Sequence, residues 1–201
     1  MMRLNHKESS LRPYQKDMWS SFAYPIPQSS VKQTVVELKL IGMLSAWISV
    51  ILLLIATSND FWIVSHDSTM SGHCGLWHSC KLNAYFNIAS GTGYIFATRF
   101  FMSLATVACL VAGVASLSPL NDCYCGQVTG VFVASISSYA AAVCDIIAMM
   151  VFTSGTSETV RSTPGLSYDW CFALGWGALP LSLITGVIYS VLFWKRPLPT
   201  I

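Results

Sequence analysis

The chain has 201 residues, of which 54% are apolar and only 10% charged, with a mean hydropathy of +0.57; a soluble domain carries about 25% charged residues. Such a chain cannot cover itself with polar side chains, so a soluble globular domain is excluded and the bilayer is the expected solvent. A net charge of +2, scattered without an acidic or basic block, argues against nucleic acid as a partner and offers no field to steer a charged ligand.

Residues 1–37 are polar, contain Pro13, Pro25 and Pro27 and show no sustained period. They read as a disordered cytoplasmic arm, an unstructured leader rather than a binding segment, although Trp19, Phe22 and Tyr24 are available to a partner or a membrane surface. The first fifteen residues hold no apolar core for a signal peptidase, so the first hydrophobic segment is expected to remain as a helix.

Charge-free windows then mark the crossings. Twenty uncharged residues lie between Lys39 and Asp60, 22 between Arg99 and Asp122, 22 between Asp122 and Asp145, and 25 between Asp169 and Lys195. Each reaches the roughly 18–20 residues that cross about 30 Å of hydrocarbon. Four spanning helices are predicted at about 38–58, 99–117, 126–153 and 170–194, with loops at 60–98 and 154–169 and a tail at 197–201. Helices satisfy their own backbone in lipid, and no weak alternation of a membrane barrel is present, so the expected class is an all-α membrane bundle.

Six cations precede the first helix (Arg3, Lys7, Arg12, Lys16, Lys32, Lys39) and two follow the last (Lys195, Arg196). Lys81, Arg99 and Arg161 fall in or beside the other pair of loops, so both termini are expected in the cytoplasm and the two loops outside. Trp62 falls at the outer interface after the first helix, and Trp170 and Trp194 bracket the fourth, where amphipathic rings prefer to sit. Helix three carries Gly126, Gly130, Ala134, Ser138 and Ala142 at intervals of four, a small-residue stripe expected to pack inside its own bundle rather than against another chain. The first outer loop alone is long enough to fold, and its pieces FWIV, GLW and YFNI read as short strands.

The stretch HCGLWHSC, residues 73–80, poses the main chemical question. With His66 it offers five possible metal ligands (His66, His73, Cys74, His78, Cys80), but it lacks the paired spacing of a zinc site and lies where thiols oxidise, so no metal is assigned. A Cys74–Cys80 disulfide is the next candidate. Along one strand the two would stand about 20 Å apart, and a bridge needs Cα atoms within about 7 Å, so it requires a turn at Gly75. Cys171 is the other external cysteine. Cys123 and Cys125, beside the membrane on the inner side, are candidates for S-acylation or free thiols. Cys109 and Cys144 read as small core hydrophobes.

Asp145 is a charge in an apolar stretch that continues to Phe152; either Arg99 pairs with it or it sits solvated at the headgroups. No nucleophile elbow, phosphate loop, HExxH or paired carboxylate stands out, and no helix has the Gly/Pro-broken look of an ion-binding span. An enzyme is not expected, and no cofactor or small-molecule substrate is implied.

Trp62, then Gly75-Leu76-Trp77 with Cys80 three positions on, then Arg99 opening helix two, resemble the claudin, peripheral-myelin-protein and epithelial-membrane-protein superfamily of tetraspan proteins. The resemblance covers about residues 38–196. The blocks SAWISVILLLIATSNDFW, ATRFFMSLA and LGWGALPLSLITGVIY look most similar to the branch holding lens fibre intrinsic membrane protein and the natural killer granule protein.

That resemblance implies a left-handed four-helix bundle with a small antiparallel sheet in the first outer loop, and it implies that Trp77 anchors the sheet on the bundle. Two departures stand out. Claudins place a second cysteine eight to ten residues after the first, whereas none follows Cys80 before Cys109, so the family disulfide is expected to be absent and Cys74 is extra. The tail KRPLPTI is short, with Pro199 third from its end, which speaks against a PDZ ligand.

The partners implied are the lipid bilayer and other membrane proteins, a second copy included. The function implied is non-enzymatic organisation of cell-cell or membrane contacts at the plasma membrane. The alternatives are an auxiliary subunit of a channel, pump or trafficking complex and, third, a paracellular barrier or pore. A pore is disfavoured by nearly balanced loop charges, which leave no one-sign lining.

Overall fold

The computed structural model describes residues 28–67, 70–77, 93–118 and 124–195. Two compact units are distinguished, Met1–Val36 and Glu37–Ile201. Of the first, only the helical residues from Gln28 onward are described.

Four helices dominate: α1 (Gln28–Ser58), α2 (Gly93–Ala115), α3 (Tyr124–Ser162) and α4 (Trp170–Trp194). All four are long and apolar enough to cross a membrane. Their arrangement is up-down-up-down, with the end of α1, the start of α2, the end of α3 and the start of α4 at one end of the bundle, here the cap end. Three strands form the cap: β1 (Ile63–Asp67), β2 (Met70–Cys74) and β3 (Leu166–Tyr168), in the antiparallel order β2-β1-β3. Ile63 pairs with Cys74 on one side and Tyr168 on the other, so one central strand joins both loops.

α4 matches its predicted bounds residue for residue. The other three helices correct theirs, because a charge-free window reports where side chains leave lipid and not where backbone stops being helical. α1 begins ten residues early, at Gln28, directly after Pro27. The segment QSSVKQTVVE is polar but contains no breaker, so residues 28–37 of the expected arm continue the helix. α2 begins at Gly93 rather than 99 and ends at Ala115, because Arg99 lies within its second turn and binds the cap. α3 runs to Ser162; its polar last turns, SGTSETVRS, carry the helix beyond its apolar stretch and shorten the second loop to residues 163–169.

The strands need corrections too. FWIV contributes β1 from Ile63 onward, but GLW is not a strand: β2 is MSGHC, and Gly75–Trp77 bend away from it. β3, in the second loop, was not anticipated. YFNI lies outside the described residues.

In the spans, the inward faces are small or hydroxylated and the outward faces bulky. On α1, Ser45, Ala46, Ser49 and Ala56 are buried while Leu40, Leu44, Ile48, Ile51 and Leu54 are exposed. On α2, Ala105, Thr106, Cys109 and Ala112 are inside while Phe96, Phe100, Leu104, Val107, Val111 and Val114 are outside. Lipid tails are as apolar as leucine, so a span gains little by hiding leucine and more by bringing backbones together and closing hydrogen bonds. Ser45 and Thr185 hydroxyls meet at 2.8 Å, Ser49 and Ser182 at 2.7 Å, and Ser135 and Ser190 at 2.8 Å. Each such bond is worth about 0.6 kcal/mol in a membrane bundle.

Of the small-residue stripe on α3, Ala134, Ser138 and Ala142 are buried. At Gly130 the approach of α2 is so close that an added Cβ would stand 1.4 Å from Ser118 Oγ and 3.2 Å from the Ala115 carbonyl. Gly126 lies in the first turn of α3, where side-chain surroundings are outside the described set.

The packed interior runs without a break from Val50, Leu53, Met102, Ala141 and Met149 in the bundle to Trp62, Ile63, Cys74 and Leu76 in the cap. Trp62, 0% exposed, is among its largest side chains, with its ring edge-on to Phe152 of α3 at 4.8 Å. Replacing it by alanine should cost about 3–5 kcal/mol, as for other buried Trp truncations. We expect Trp62→Ala to lower the thermal midpoint of the detergent-solubilised protein sharply, and a midpoint equal to the wild type would refute this placement.

Candidate functional site: an indole-pinned cap

A helix ends with carbonyls that no amide of its own can reach, and at the rim of a bilayer those acceptors need other donors. At the end of α1 the next residues supply them. Asn59 returns its amide N–H (3.2 Å) and its Nδ2 (2.9 Å) to the Ile55 carbonyl. Trp62 Nε1 donates to the Ala56 carbonyl at 2.7 Å, and Trp77 Nε1 donates to the Thr57 carbonyl, also at 2.7 Å. Three successive carbonyls are thus capped by side chains drawn from the first loop.

Trp62 does more with its backbone. Its N–H donates to the Cys74 carbonyl at 2.9 Å, and its own carbonyl accepts from the Asp169 N–H at 3.0 Å. One residue therefore links α1, β2 and the entry to α4. The neighbouring Phe61 carbonyl accepts from the Cys171 N–H at 3.2 Å, while Asp169 caps α4 through Oδ1 to the Trp170 N–H at 2.8 Å.

Trp77 differs from the expectation set by the resemblance. The deeply seated indole is that of Trp62, with Leu76 beside it at 0% exposure, whereas Trp77 is 49% exposed. Its N–H is nevertheless fixed on α1, and the Arg99 guanidinium lies over its ring at 5.5 Å, within range of a cation–π contact. Arg99 Nε also donates to the Leu76 carbonyl. That side chain joins α2 to the cap.

Arg99 is therefore engaged with the cap and not with Asp145. Asp145 is also not at the headgroups: it is 0% exposed inside the bundle, and neither carboxylate oxygen has a hydrogen-bond partner among the described residues. The expected ion pair and its solvated alternative are both corrected. Helix periodicity turns Asp145 inward with Ala141, Ala142 and Met149, and no sequence window could show that Arg99 already had two partners.

Gly75 is required where it stands. A Cβ there would lie 2.1 Å from Asp60 Oδ1 and 2.3 Å from Asp60 Cα. The chain leaves the extended conformation at this point, which meets the condition for a short-range bridge from Cys74. Cys74 is disulfide-bonded, so the reading of it as an extra thiol is corrected. Its partner lies outside the described residues; Cys109, Cys144 and Cys171 are free. His73, once a candidate ligand, stacks on Phe61 at 4.6 Å, and Phe61 stacks on Trp170 at 5.7 Å. His66 is exposed on β1 opposite Ser71. His78, Cys80 and Cys123 lie outside the described residues, as do the surroundings of the Cys125 side chain.

Asn59 and Trp62 are the anchors that the motif alone underrated. The available signal was an Asn directly after a helix, followed within a few residues by a tryptophan, the pattern of a capped helix end. We expect Gly75→Ala to cost more than Trp77→Phe. The first drives a methyl into backbone, a cost of about 1–3 kcal/mol or more. The second removes one indole donor from a rim that water can reach, about 1 kcal/mol. Thermal unfolding of the two variants in detergent checks the order, and a Gly75→Ala protein as stable as Trp77→Phe would contradict the close approach.

Comparison with known proteins agrees with this architecture. Residues 35–189 match the profile of the PMP-22/EMP/MP20/Claudin family. Lens fiber membrane intrinsic protein of Rattus norvegicus is 29% identical over 151 residues, covering 74% of this chain and 87% of the relative. Protein NKG7 of Mus musculus is 31% identical over 136 residues, covering 67% and 79%. Epithelial membrane protein 2 of Danio rerio is 30% identical over 149 residues, covering 72% and 89%. Four membrane-crossing helices, a three-stranded cap and a match over most of its length make this chain a multi-pass membrane protein of the PMP-22/EMP/MP20/Claudin family.

Proposed function

We propose that the protein is a non-enzymatic organiser of membrane contacts at the plasma membrane, with both termini in the cytoplasm and the cap outside the cell. The observation that carries this reading is the stitching of both loops into one sheet whose ends are hydrogen-bonded to α1 and α4 and, through Arg99, to α2. A loop that only connected two helices would not need such fixation; a surface presented to another membrane or a neighbouring protein does, because a fixed surface loses less freedom on binding. Phe61, His73, Trp77 and Trp170 are exposed on or beside that cap, and aromatic rings give large contact area at low entropic cost.

Non-adherent cells expressing the protein should cluster, and Trp77→Ala at equal surface abundance should reduce the clustering. An absence of clustering, together with a membrane protein that copurifies stoichiometrically, would sink this reading in favour of the auxiliary-subunit alternative.

We further propose that Cys80 is the partner of Cys74. With the three described thiols free, the remaining cysteines are Cys80, Cys123 and Cys125. The latter two flank the start of α3, at the end of the bundle away from the cap. α2, with its 23 residues, spans about 35 Å between the two ends, whereas a bridge tolerates about 7 Å between Cα atoms. A Cys74–Cys80 bridge would close a ring around Gly75, Leu76 and Trp77. Digestion without reduction should yield one fragment with Cys74 and Cys80 cross-linked, and an alkylated Cys80 in the unreduced protein would exclude it.

A further inference from the structure

Asp145 is the one described acid inside the bundle. It lies within the apolar span Gly130–Ser162, and both of its oxygens are buried with no partner among the described residues. The described cations are not inside with it: Lys39 and Lys195 stand toward the end of the bundle opposite the cap, Arg161 in the last turn of α3, and Arg99 under Leu76 and Trp77.

Its level in the bundle is set by packing on either side. α4 meets α3 at Gly175, where a Cβ would stand 2.7 Å from Met149 Sδ, and again at Gly186, where it would stand 2.9 Å from Tyr139 Cε1. Ala178 and Ser182 therefore fall at the height of Asp145. At that height Ser49 Oγ of α1 meets Ser182 Oγ at 2.7 Å and donates to the Ala178 carbonyl at 3.2 Å. Cys109 of α2 lies against the same two hydroxyls and within electrostatic reach of Asp145. The titratable groups that face Asp145 are Cys109 on α2 and Cys144 on its own helix; α1 and α4 bring hydroxyls and a carbonyl.

An ionised carboxylate cannot stand in such a place without a positive charge or hydrogen-bond donors, because its desolvation is not offset by anything around it. The carboxylate of α3 and, at the same height, the hydroxyl and carbonyl oxygens of α1 and α4, with no basic side chain among the described residues there, are oxygens of the kind that a small hard cation takes. We infer that Asp145 is the binding site for a single small monovalent cation, a proton or a sodium ion, at the centre of the bundle. Neutralisation by that ion lets the four helices close around an acid that would otherwise hold them apart or draw water between them.

Infrared difference spectra of the purified protein in lipid nanodiscs, wild type minus Asp145→Asn, isolate this carboxyl group; thermal midpoints in sodium chloride and in choline chloride complete the test. A carboxylic-acid carbonyl band in sodium-free buffer, lost in the variant, assigns the proton. A carboxylate band with a midpoint raised by sodium in the wild type and unmoved in the variant assigns sodium. A carboxylate band in choline, with a midpoint indifferent to sodium, overturns the inference. Should Asp145→Asn fail to fold, wild-type protein carrying carbon-13 in its aspartate carboxyls replaces it, since the isotopic downshift of the band identifies an aspartate and the sodium comparison needs no variant.

Discussion

The structure depends on how α1 ends. Three consecutive carbonyls emerge at the rim of the apolar span, and each receives a side-chain donor from the loop that follows. Indole suits this position better than lysine, serine or glutamine: it brings one N–H for the carbonyl and a large apolar body for the lipid boundary. Trp62 can reach back only if the chain reverses within four residues of Ser58. That reversal places its backbone between β2 and the start of α4, and the sheet order follows from it. Trp77 can reach Thr57 only if residues 75–77 pass tightly beside Asp60, which leaves no room for a Cβ at residue 75. The Gly-Leu-Trp signature is thus a geometric consequence of capping one helix: glycine for the approach, leucine for the space beneath, tryptophan for the last carbonyl.

Tethering the cap to α1 alone would leave the other helices free to slide, since lipid imposes little preference on their relative height. Specific contacts set that height. Arg99 holds α2 through the Leu76 carbonyl and the Trp77 face, the Asp169 and Cys171 amides hold α4 on the Trp62 and Phe61 carbonyls, and the Thr156 hydroxyl of α3 meets the Tyr168 hydroxyl of β3 at 3.0 Å. Below the cap the serine and threonine pairs between α1, α3 and α4 repeat the same logic with weaker bonds. A bundle lined by small residues packs closely at many heights, and paired hydroxyls make one height better than the rest. Asp145 departs from this pattern as a buried carboxyl group that no hydroxyl or cation among the described residues pairs with.

What could be read from the sequence was decided by which physical quantity each residue reports. Hydropathy reports solvation, so it placed four crossings correctly and matched α4, whose ends coincide with Asp169 and Lys195. It misplaced the starts of α1 and α2 and the end of α3, where helix continues through polar residues. Ala134, Ser138 and Ala142 of α3 were legible as an inward face because their interval of four has a direct geometric meaning. β3 was not legible: three residues, Leu-Ser-Tyr, carry no periodicity, and they form a strand only because β1 already stands beside them. Arg99 and Asp145 were the natural pair in a list of charges, yet a guanidinium with a carbonyl and an aromatic face in reach needs no carboxylate. Only the fold reveals that the two are not partners.

Cys74 shows where a covalent bond adds most to this cap. A bridge between neighbouring strands stiffens a sheet across its hydrogen-bonding direction. Here β1 is already paired on both sides, and its Ile63 faces Cys74 itself. The segment in need of constraint is the one after β2, where the chain turns away at Gly75 and must deliver a carbonyl to Arg99 and an indole to Thr57 within two residues. A disulfide starting at Cys74 reduces the freedom of the unfolded chain at that point. Its gain is greatest if the closed ring contains the residues that make those two contacts.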